Sequence, residues 1–243
     1  MWLDLHKLFN RLSHDPDVRA IILTANGDRA FTAGLDVQAA AGDSVLSRPL
    51  SDVARKANLV RRHILEFQEC ITAIEQCEKP VICAIHGICY GLGIDISLAC
   101  DIRLAAKNAR LSIKEVDIGI AADIGTLSRL PHSGVPFSWI KDVALTAREF
   151  GAEEALGVGL VSGIYNSKED CLKAAMEKAT LLATKSPVAV LGTKQILNYS
   201  RERTVADGLN YTAVWNAAYT QTRDMTDAMT AGLKKKKTSF AKL

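Results

Sequence analysis

Apolar and polar residues along the first part of the chain alternate between strand-like and helix-like patterns. The short β-branched run VRAIILTA, from Val18, lies between Asp17 and Asn26-Gly27, which is typical of a buried parallel strand. Amphipathic spacing predicts a helix over Leu3 to Leu12, and a second, long helix from about Val53 to Cys77. The chain therefore begins with helix, strand and helix.

The next apolar stretch predicts a strand, a helix and a strand. The strand VICAIHG starts after Pro80, the glycines Gly87, Gly91 and Gly93 turn the chain into a short helix, GIDISLAC, and a third strand, DIRLAA, follows. This unit is the signature of an α/β fold with parallel strands. From Thr126 onward the pattern is almost wholly helical, and no linker composition separates two domains. The predicted helices are Lys168 to Thr184, Pro187 to Ser200 and Val205 to Leu233.

Composition narrows the class of protein. The chain has 243 residues, 48% of them hydrophobic, which suits a sizeable buried core. Lys and Arg total 30 against 27 for Asp and Glu, so no charge excess indicates a nucleic-acid partner. The six cysteines form no CxxC pair and we expect no signal peptide, so the sequence predicts reduced thiols in a reducing compartment. The longest apolar run, from Val81, is interrupted by His86 and Asp95, so we expect no membrane span.

The sequence leaves few types of catalytic group. It contains no HExxH or other metal-ligand spacing and no GxSxG elbow, so we expect neither a metal nor a serine nucleophile of that type. Carboxylates remain, and the apolar segment IKEVDIGIAADIG holds Glu115, Asp117 and Asp123. A buried carboxylate is costly unless it is paired or serves chemistry. Asp117 has Lys114 nearby, and we interpret it as exposed or paired.

The glycine cluster GICYGLGID matches neither GxGxxG nor GxxxxGK[ST], so a nucleotide-binding loop is disfavoured. A tight strand-to-helix turn explains the glycines, yet amide groups at a helix start also suit a developing oxyanion. In FTAGLDV, Gly34 and Leu35 follow the first strand and offer a second amide. Two such amides in one crevice would suit enolate formation from an acyl thioester. Asp95 is explained equally well as an acid in the first helical turn.

FTAGLDV, HGICYGLGIDISLACDIRLAA and IKEVDIGIAADIGTLSRLP, in this order, resemble the successive motifs of the enoyl-CoA hydratase/isomerase (crotonase) superfamily. Within it they most resemble the dienoyl-CoA isomerases, and the resemblance runs from about Trp2 to the C-terminus. It implies a crotonase-like α/β fold of repeated ββα units, with a core over residues 1–185. Residues 186–243 would form a helical oligomerisation region that ends in a targeting tail.

The resemblance also implies the site. The amides of Leu35 and Leu92 would form the oxyanion hole, and the catalytic carboxylates would be Asp95, Glu115 and Asp123. Hydratases carry glutamate at the first of these positions, whereas dienoyl-CoA isomerases have aspartate there and add the third. Further substrate-binding positions are Ala33, Gly34, Asp36 and Gly91.

The implied reaction moves a 3,5-dienoyl-CoA into 2,4 conjugation without a cofactor, because CoA is part of the substrate. Glu115 would serve C2 and Asp123 would serve C6, while Asp95 would tune their electrostatics. We expect apolar neighbours at Ile118, Ile120 and Ile124 to raise the proton affinity of a carboxylate. We expect the loop from Ala39 to Asp52 to form the wall of the acyl pocket.

The resemblance implies a homo-oligomer, a trimer or a hexamer of paired trimers. Members of the superfamily begin with strands ahead of the helix where this chain starts, and we expect those strands to be missing. Their usual triple glycine reads Gly91-Leu92-Gly93 here, so the leucine side chain must find room. Two alternatives stay open: a 2-enoyl-CoA hydratase or another crotonase-type acyl-CoA enzyme, and a non-catalytic acyl-CoA-binding or assembly protein.

The C-terminal residues Ala241, Lys242 and Leu243 resemble the SKL peroxisomal address and follow a run of four lysines. A basic run by itself is most often a solvated tail. The dienoyl-CoA isomerases that the chain resembles act in fatty acid β-oxidation. Together with this resemblance, the tripeptide predicts the peroxisome as the compartment and its import receptor as a partner.

Overall fold

The computed structural model describes residues 1–35, 52–234, 236 and 238–243. Helices occupy most of the second half of the chain, while the strands are short. The helices are α1 (Trp2–His14), α2 (Val53–Gln76), α3 (Leu92–Ala99), α4 (Thr126–Arg129), α5 (Phe137–Thr146), α6 (Ala152–Gly157), α7 (Lys168–Ala183), α8 (Pro187–Ser200), α9 (Val205–Tyr219) and α10 (Arg223–Leu233). The strands are β1 (Ile21–Leu23), β2 (Ala30–Thr32), β3 (Val81–Ile85), β4 (Ile88–Tyr90), β5 (Ile102–Ala106), β6 (Arg110–Ser112), β7 (Phe150–Gly151) and β8 (Ile164–Tyr165). Glu115–Ile118 and Leu130–His132 are 3-10 helices.

The strands form two sheets, and the chain passes from one to the other after each strand of the first. The first sheet has the order β1-β3-β5-β8 and is parallel throughout, and the second has the order β2-β4-β6-β7 with only β7 antiparallel. The crossings to the second sheet follow β1, β3 and β5, and β8 is the last described strand. Between β3 and β4 the chain turns at Gly87, whose φ is +55° and where a Cβ would overlap the carbonyl oxygen of Arg29. The resulting strand, strand, helix repeat confirms the fold that the sequence resemblance implied.

Both faces of the first sheet are buried, which explains the continuous apolar runs in its strands. One face of strand β3 packs into the main core through Val81, Cys83 and Ile85. The apolar side chains of α3 belong to the same core. Ile82 and Ala84 face the opposite side, where Cys171, Ala174 and Ala175 of α7 cover them. All six cysteines are buried free thiols.

The apolar pattern alone missed five of the described strands and one boundary between helices. β2, β4 and β6 have three residues each, too few to show a period of two. The helix predicted from Val205 to Leu233 is two helices, because the Thr222 side chain caps α10 by accepting a hydrogen bond from the Asp224 amide. β7 and β8 also interrupt the region predicted to be helical.

None of the helices that the structure describes is long and apolar enough to cross a bilayer.

Candidate active site

The ends of β2 and β4 deliver two glycines to one point. Gly34 has a φ of +92°, and a Cβ on it would lie 3.1 Å from the Tyr90 carbonyl oxygen and 3.8 Å from the Gly91 Cα. Gly91 has a φ of +50° and would place its own Cβ 3.9 Å from the Gly34 Cα. The loops that carry the two predicted oxyanion amides therefore lie against each other.

The Leu92 amide is the first of helix α3, and amides at this position have no partner within their helix. Gly91, the N-cap, has no side chain that could occupy it. The Leu92 side chain is buried in the main core with 7% of its surface exposed, so the room that this leucine needs is present. Leu35 is 47% exposed on the facing loop. Both predicted oxyanion residues thus border the Gly34–Gly91 contact. The Leu92 side chain is buried in the core, and the Leu35 side chain lies at the surface.

Glu115 is the carboxylate that reaches this contact. It opens the 3-10 helix after β6, and its Oε1 lies 3.0 Å from the position of a Cβ at Gly91. Its Oε2 is buried and has no hydrogen-bond partner among the described residues. Burial raises the pKa of Glu115, and the negative charges of Asp95 and Asp123 raise it further. A carboxylate in this state is suited to accept a proton near neutral pH.

Asp95 lies in α3 and is fully buried. Its Oδ1 accepts hydrogen bonds from the amide and the hydroxyl of Thr126, at 2.6 and 2.7 Å. Burial raises the pKa of Asp95, and the two Thr126 hydrogen bonds oppose that rise. Asp95 does lie in the first turn of α3, as the alternative explanation requires. Its side chain is nevertheless buried, with 1% of its surface exposed, and its hydrogen-bond partner comes from α4, so the position in the first turn does not by itself explain this residue.

Asp123 is half-buried in the segment between the 3-10 helix and α4. Its carbonyl oxygen accepts a hydrogen bond from the Gln68 side chain of α2 at 2.5 Å, which ties the segment to that helix. The charge of Asp123 acts on both Asp95 and Glu115. The structure thus brings the three predicted carboxylates into one electrostatic cluster.

The remaining predicted residues divide into three groups. Ala33 is exposed on the loop beside Gly34. Asp36 and most of the expected pocket wall, residues 39–51, lie outside the described residues. Asp117 is exposed and paired with Lys114 at 3.0 Å, which confirms that it stands apart from the cluster.

The expected apolar surround of the carboxylates is wrong in part. Ile118 and Ile120 are 50% and 44% exposed, and only Ile124 packs against the core. Ile118 ends the single-turn 3-10 helix that begins at Glu115, none of whose residues is buried, and Ile120 follows that helix. The raised pKa of Glu115 therefore comes from the burial of its own side chain and from the neighbouring acids, and not from these two isoleucines.

Several functional neighbours were missed from the sequence. Thr126 holds Asp95, and Arg129 donates to Glu75 and Thr72 of α2 at 3.0 and 2.9 Å. Gln68, Thr72 and Glu75 are spaced four and three residues apart, which places them on one helical face. That spacing is visible in the sequence, but it is equally typical of a solvated helix face.

The described residues contain no group of three or more His, Cys, Asp or Glu side chains placed to hold a metal ion. The chemistry available at the site is proton transfer by carboxylates beside backbone amides.

Comparison with known proteins agrees with this geometry. The profile of the enoyl-CoA hydratase/isomerase family matches residues 1–242. The mitochondrial Delta(3,5)-Delta(2,4)-dienoyl-CoA isomerase of Homo sapiens is 44% identical over 245 residues, which cover 100% of this chain and 74% of that protein. The peroxisomal Delta(3,5)-Delta(2,4)-dienoyl-CoA isomerase of Arabidopsis thaliana is 44% identical over 242 residues, covering 100% of this chain and 86% of that protein.

Among solved structures, an enoyl-CoA hydratase from Bacillus anthracis superposes with a TM-score of 0.87 at 27% identity, covering 99% of this chain and 88% of its own. The match of fold and sequence extends over both sheets and the helical C-terminal region. The chain belongs to the enoyl-CoA hydratase/isomerase family.

Proposed function

We propose that the protein is a dienoyl-CoA isomerase that converts 3,5-dienoyl-CoA into 2,4-dienoyl-CoA. The observation that carries this proposal is the cluster of Asp95, Glu115 and Asp123, in which Glu115 lies against Gly91 and is influenced by the charges of the two aspartates. The 44% identity to isomerases of that name supports it over the full length of the chain.

The reaction needs two proton transfers at separate carbons. Glu115 removes a proton from C2, which the thioester acidifies, and the electron pair moves into the carbonyl to form an extended enolate. The amides of Leu35 and Leu92 donate to the enolate oxygen. Asp123 then delivers a proton to C6, so that the double bonds come to rest at C2 and C4. The substrate loses one proton at C2 and gains one at C6, so no cofactor is consumed. Glu115 then releases its proton to solvent and Asp123 takes one up, which returns both groups to their starting states.

Asp95 serves the pair through its charge. Its two Thr126 hydrogen bonds occupy the lone pairs of Oδ1, so this oxygen is engaged away from the reacting carbons. The Asp95 charge raises the pKa of Glu115 and so strengthens it as a base. A hydratase instead needs two carboxylates directed at one water molecule. Because Asp95 Oδ1 already accepts two hydrogen bonds from Thr126, it is not free to hold such a water, which favours isomerisation over hydration.

The test is to incubate the purified protein with a 3,5-dienoyl-CoA and to follow the ultraviolet absorbance of the conjugated 2,4-dienoyl product. A 2-enoyl-CoA serves as the matched substrate for hydration. Efficient conjugation with little hydration supports the isomerase. Efficient hydration without conjugation supports the hydratase alternative, and thermal stabilisation by acyl-CoA without any turnover supports the non-catalytic alternative.

We infer that the peroxisome is the compartment and that its import receptor binds the C-terminal tripeptide. Leu243 is 39% exposed, and the chain end lies at the surface, where Arg19 donates to the Ala241 carbonyl oxygen and Lys242 pairs with Asp17. Relatives of this activity are named as peroxisomal in Arabidopsis thaliana and mitochondrial in Homo sapiens.

A fluorescent fusion ending in the native tripeptide should enter peroxisomes, whereas deletion of Ala241-Lys242-Leu243 should leave it cytosolic. Unchanged peroxisomal import after the deletion would refute the assignment.

We also propose a homo-oligomer built through residues 186–243. Large apolar side chains are exposed along the last two helices, and such a surface is typical of a subunit interface. They are Val205, Leu209, Val214, Tyr219, Met225, Met229 and Leu233. Sedimentation should give a trimer or a hexamer at micromolar concentration. A stable monomer would contradict this proposal.

A further inference from the structure

Arg129 occupies a buried position between helix α2 and the carboxylate cluster. Its side chain is 11% exposed, and it donates through Nε to Glu75 Oε2 at 3.0 Å and through Nη2 to Thr72 Oγ1 at 2.9 Å. Glu75 is 15% exposed and also pairs with Arg201, which follows α8, at 2.5 Å. The guanidinium is therefore fixed by two groups of one helix, and its main partner is itself held in place.

The guanidinium also fills the space beside the turn that leads into α4. Gly125 has a φ of +151°, and a Cβ on it would overlap Arg129 Nη1 and lie 3.9 Å from Asp95 Oδ1. The Arg129 amide donates to the Gly125 carbonyl oxygen at 2.8 Å. The next residue, Thr126, is the one that donates two hydrogen bonds to Asp95. Arg129 thus contacts the turn that presents Thr126.

We propose that Arg129 is a positioning residue for the reaction. Its hydrogen bonds to Glu75 and Thr72 fix it to α2, and from there it holds the Gly125–Thr126 turn against Asp95. In this way it maintains the arrangement of the three carboxylates that the reaction requires. The inference rests on the proposed function, because that arrangement matters for diene isomerisation.

Electrostatics act in the same direction as the geometry. The positive charge of Arg129 lowers the pKa of Asp95 and so opposes the effect of burial. Asp95 in its charged form accepts both Thr126 hydrogen bonds and raises the pKa of Glu115. Loss of Arg129 would therefore loosen the turn and also favour protonation of the acid that it supports.

The test is a double-mutant cycle with Arg129→Met, Asp95→Asn and the combined variant. Arg129→Met should lower kcat by about 10- to 100-fold with little change in KM, because small displacements of catalytic groups have effects of this size. Arg129→Lys keeps the charge and should recover part of the loss. In the Asp95→Asn protein, the Arg129→Met change should have a much smaller effect, because the residue through which it acts is gone.

Lys194→Met is the matched control. Lys194 is 6% exposed and pairs with Asp101 at 2.8 Å, and it lines the same cavity of about 600 Å³ as Arg129 and Glu75, without contacting the carboxylate cluster. Its removal should lower stability while leaving kcat nearly unchanged, both with Asp95 present and in the Asp95→Asn protein.

If Arg129→Met does not fold, Thr126→Val tests the link between the turn and Asp95, with Thr126→Ser as the conservative variant that should restore activity.

Equal losses of kcat from Arg129→Met in the presence and absence of the Asp95 carboxylate would overturn the proposal, as would a variant with unchanged kcat. The free energies of unfolding of the four proteins in the cycle are also measured in urea, all at the same protein concentration. We expect the effects of the two substitutions on this free energy to be non-additive, which is the sign of coupling between the residues. That measurement judges the Arg129–Asp95 link even if the unmodified protein fails to isomerise the diene, a result that would refute the proposed function alone.

Discussion

Gly91 and Glu115 lie so close that a methyl group on the glycine would come within 3.0 Å of the Glu115 Oε1. The backbone that carries the Leu92 amide thus lies next to the carboxylate that the proposed mechanism uses as the proton acceptor. Gly91 also has a φ of +50°, a conformation that side chains other than that of glycine rarely adopt. Under the proposed mechanism, this one position therefore couples oxyanion binding to proton transfer.

Gly91→Ala should impair both functions together. The added methyl group must displace Glu115 or shift the Leu92 amide, so we expect kcat to fall by at least about 100-fold, the effect of a misplacement near 1 Å. Gly119→Ala is the matched control, because Gly119 also has a positive φ of +78° but a Cβ there meets nothing within 4 Å. A Gly91→Ala protein with normal kcat and a Gly119→Ala protein with reduced kcat would contradict the role given to the contact.

Glu115→Gln should make the enzyme slower and the folded protein more stable. The proton acceptor is lost, and such groups typically contribute about 10²- to 10⁴-fold to the rate. Acyl-CoA affinity should stay nearly unchanged, because glutamine keeps the shape of the side chain. Asp117→Asn is the control and should leave kcat close to that of the unmodified protein, since Asp117 is exposed and paired with Lys114.

The gain in stability should depend on pH. Burial raises the pKa of Glu115 in the folded state above that of the unfolded chain. The folded protein then binds the proton more tightly, so the free energy of unfolding falls as pH rises from the ordinary glutamate pKa through the raised one. At neutral pH, Glu115→Gln should therefore be more stable than the unmodified protein, because the variant does not bury a charge at this position. Urea unfolding should show the difference vanish at a pH below the ordinary glutamate pKa, and a constant difference at all pH values would refute the explanation.

Asp95→Asn should shift the pH dependence of kcat/KM. The Asp95 charge raises the pKa of Glu115, so its removal should lower that pKa. The acidic limb of the profile, where Glu115 loses activity by protonation, should therefore move to lower pH. A limb that stays in place or moves to higher pH would show that Asp95 does not tune Glu115 through its charge.

Some features of the fold and site were readable from the sequence because they depend on local pattern. The helix α2 begins at Val53 as predicted and ends at Gln76, one residue before the predicted end, and the motif residues Gly91 and Glu115 meet as expected. Three-residue strands such as β4 were not readable from the pattern, because their pairing comes from neighbours far along the chain. The Arg129–Glu75 pair joins residues 54 positions apart, and no local signal encodes it.

The division of labour between Glu115 and Asp123 is the central claim, and deuterium exchange at C2 tests it most directly. The measurement follows solvent deuterium entering C2 of a 3,5-dienoyl-CoA with Asp123→Asn and with Glu115→Gln. We predict that Asp123→Asn isomerises about 10²- to 10⁴-fold more slowly and still exchanges C2, because the enolate forms and returns, whereas Glu115→Gln loses exchange as well. Near-normal isomerisation by Asp123→Asn, or full C2 exchange by Glu115→Gln, would contradict the account.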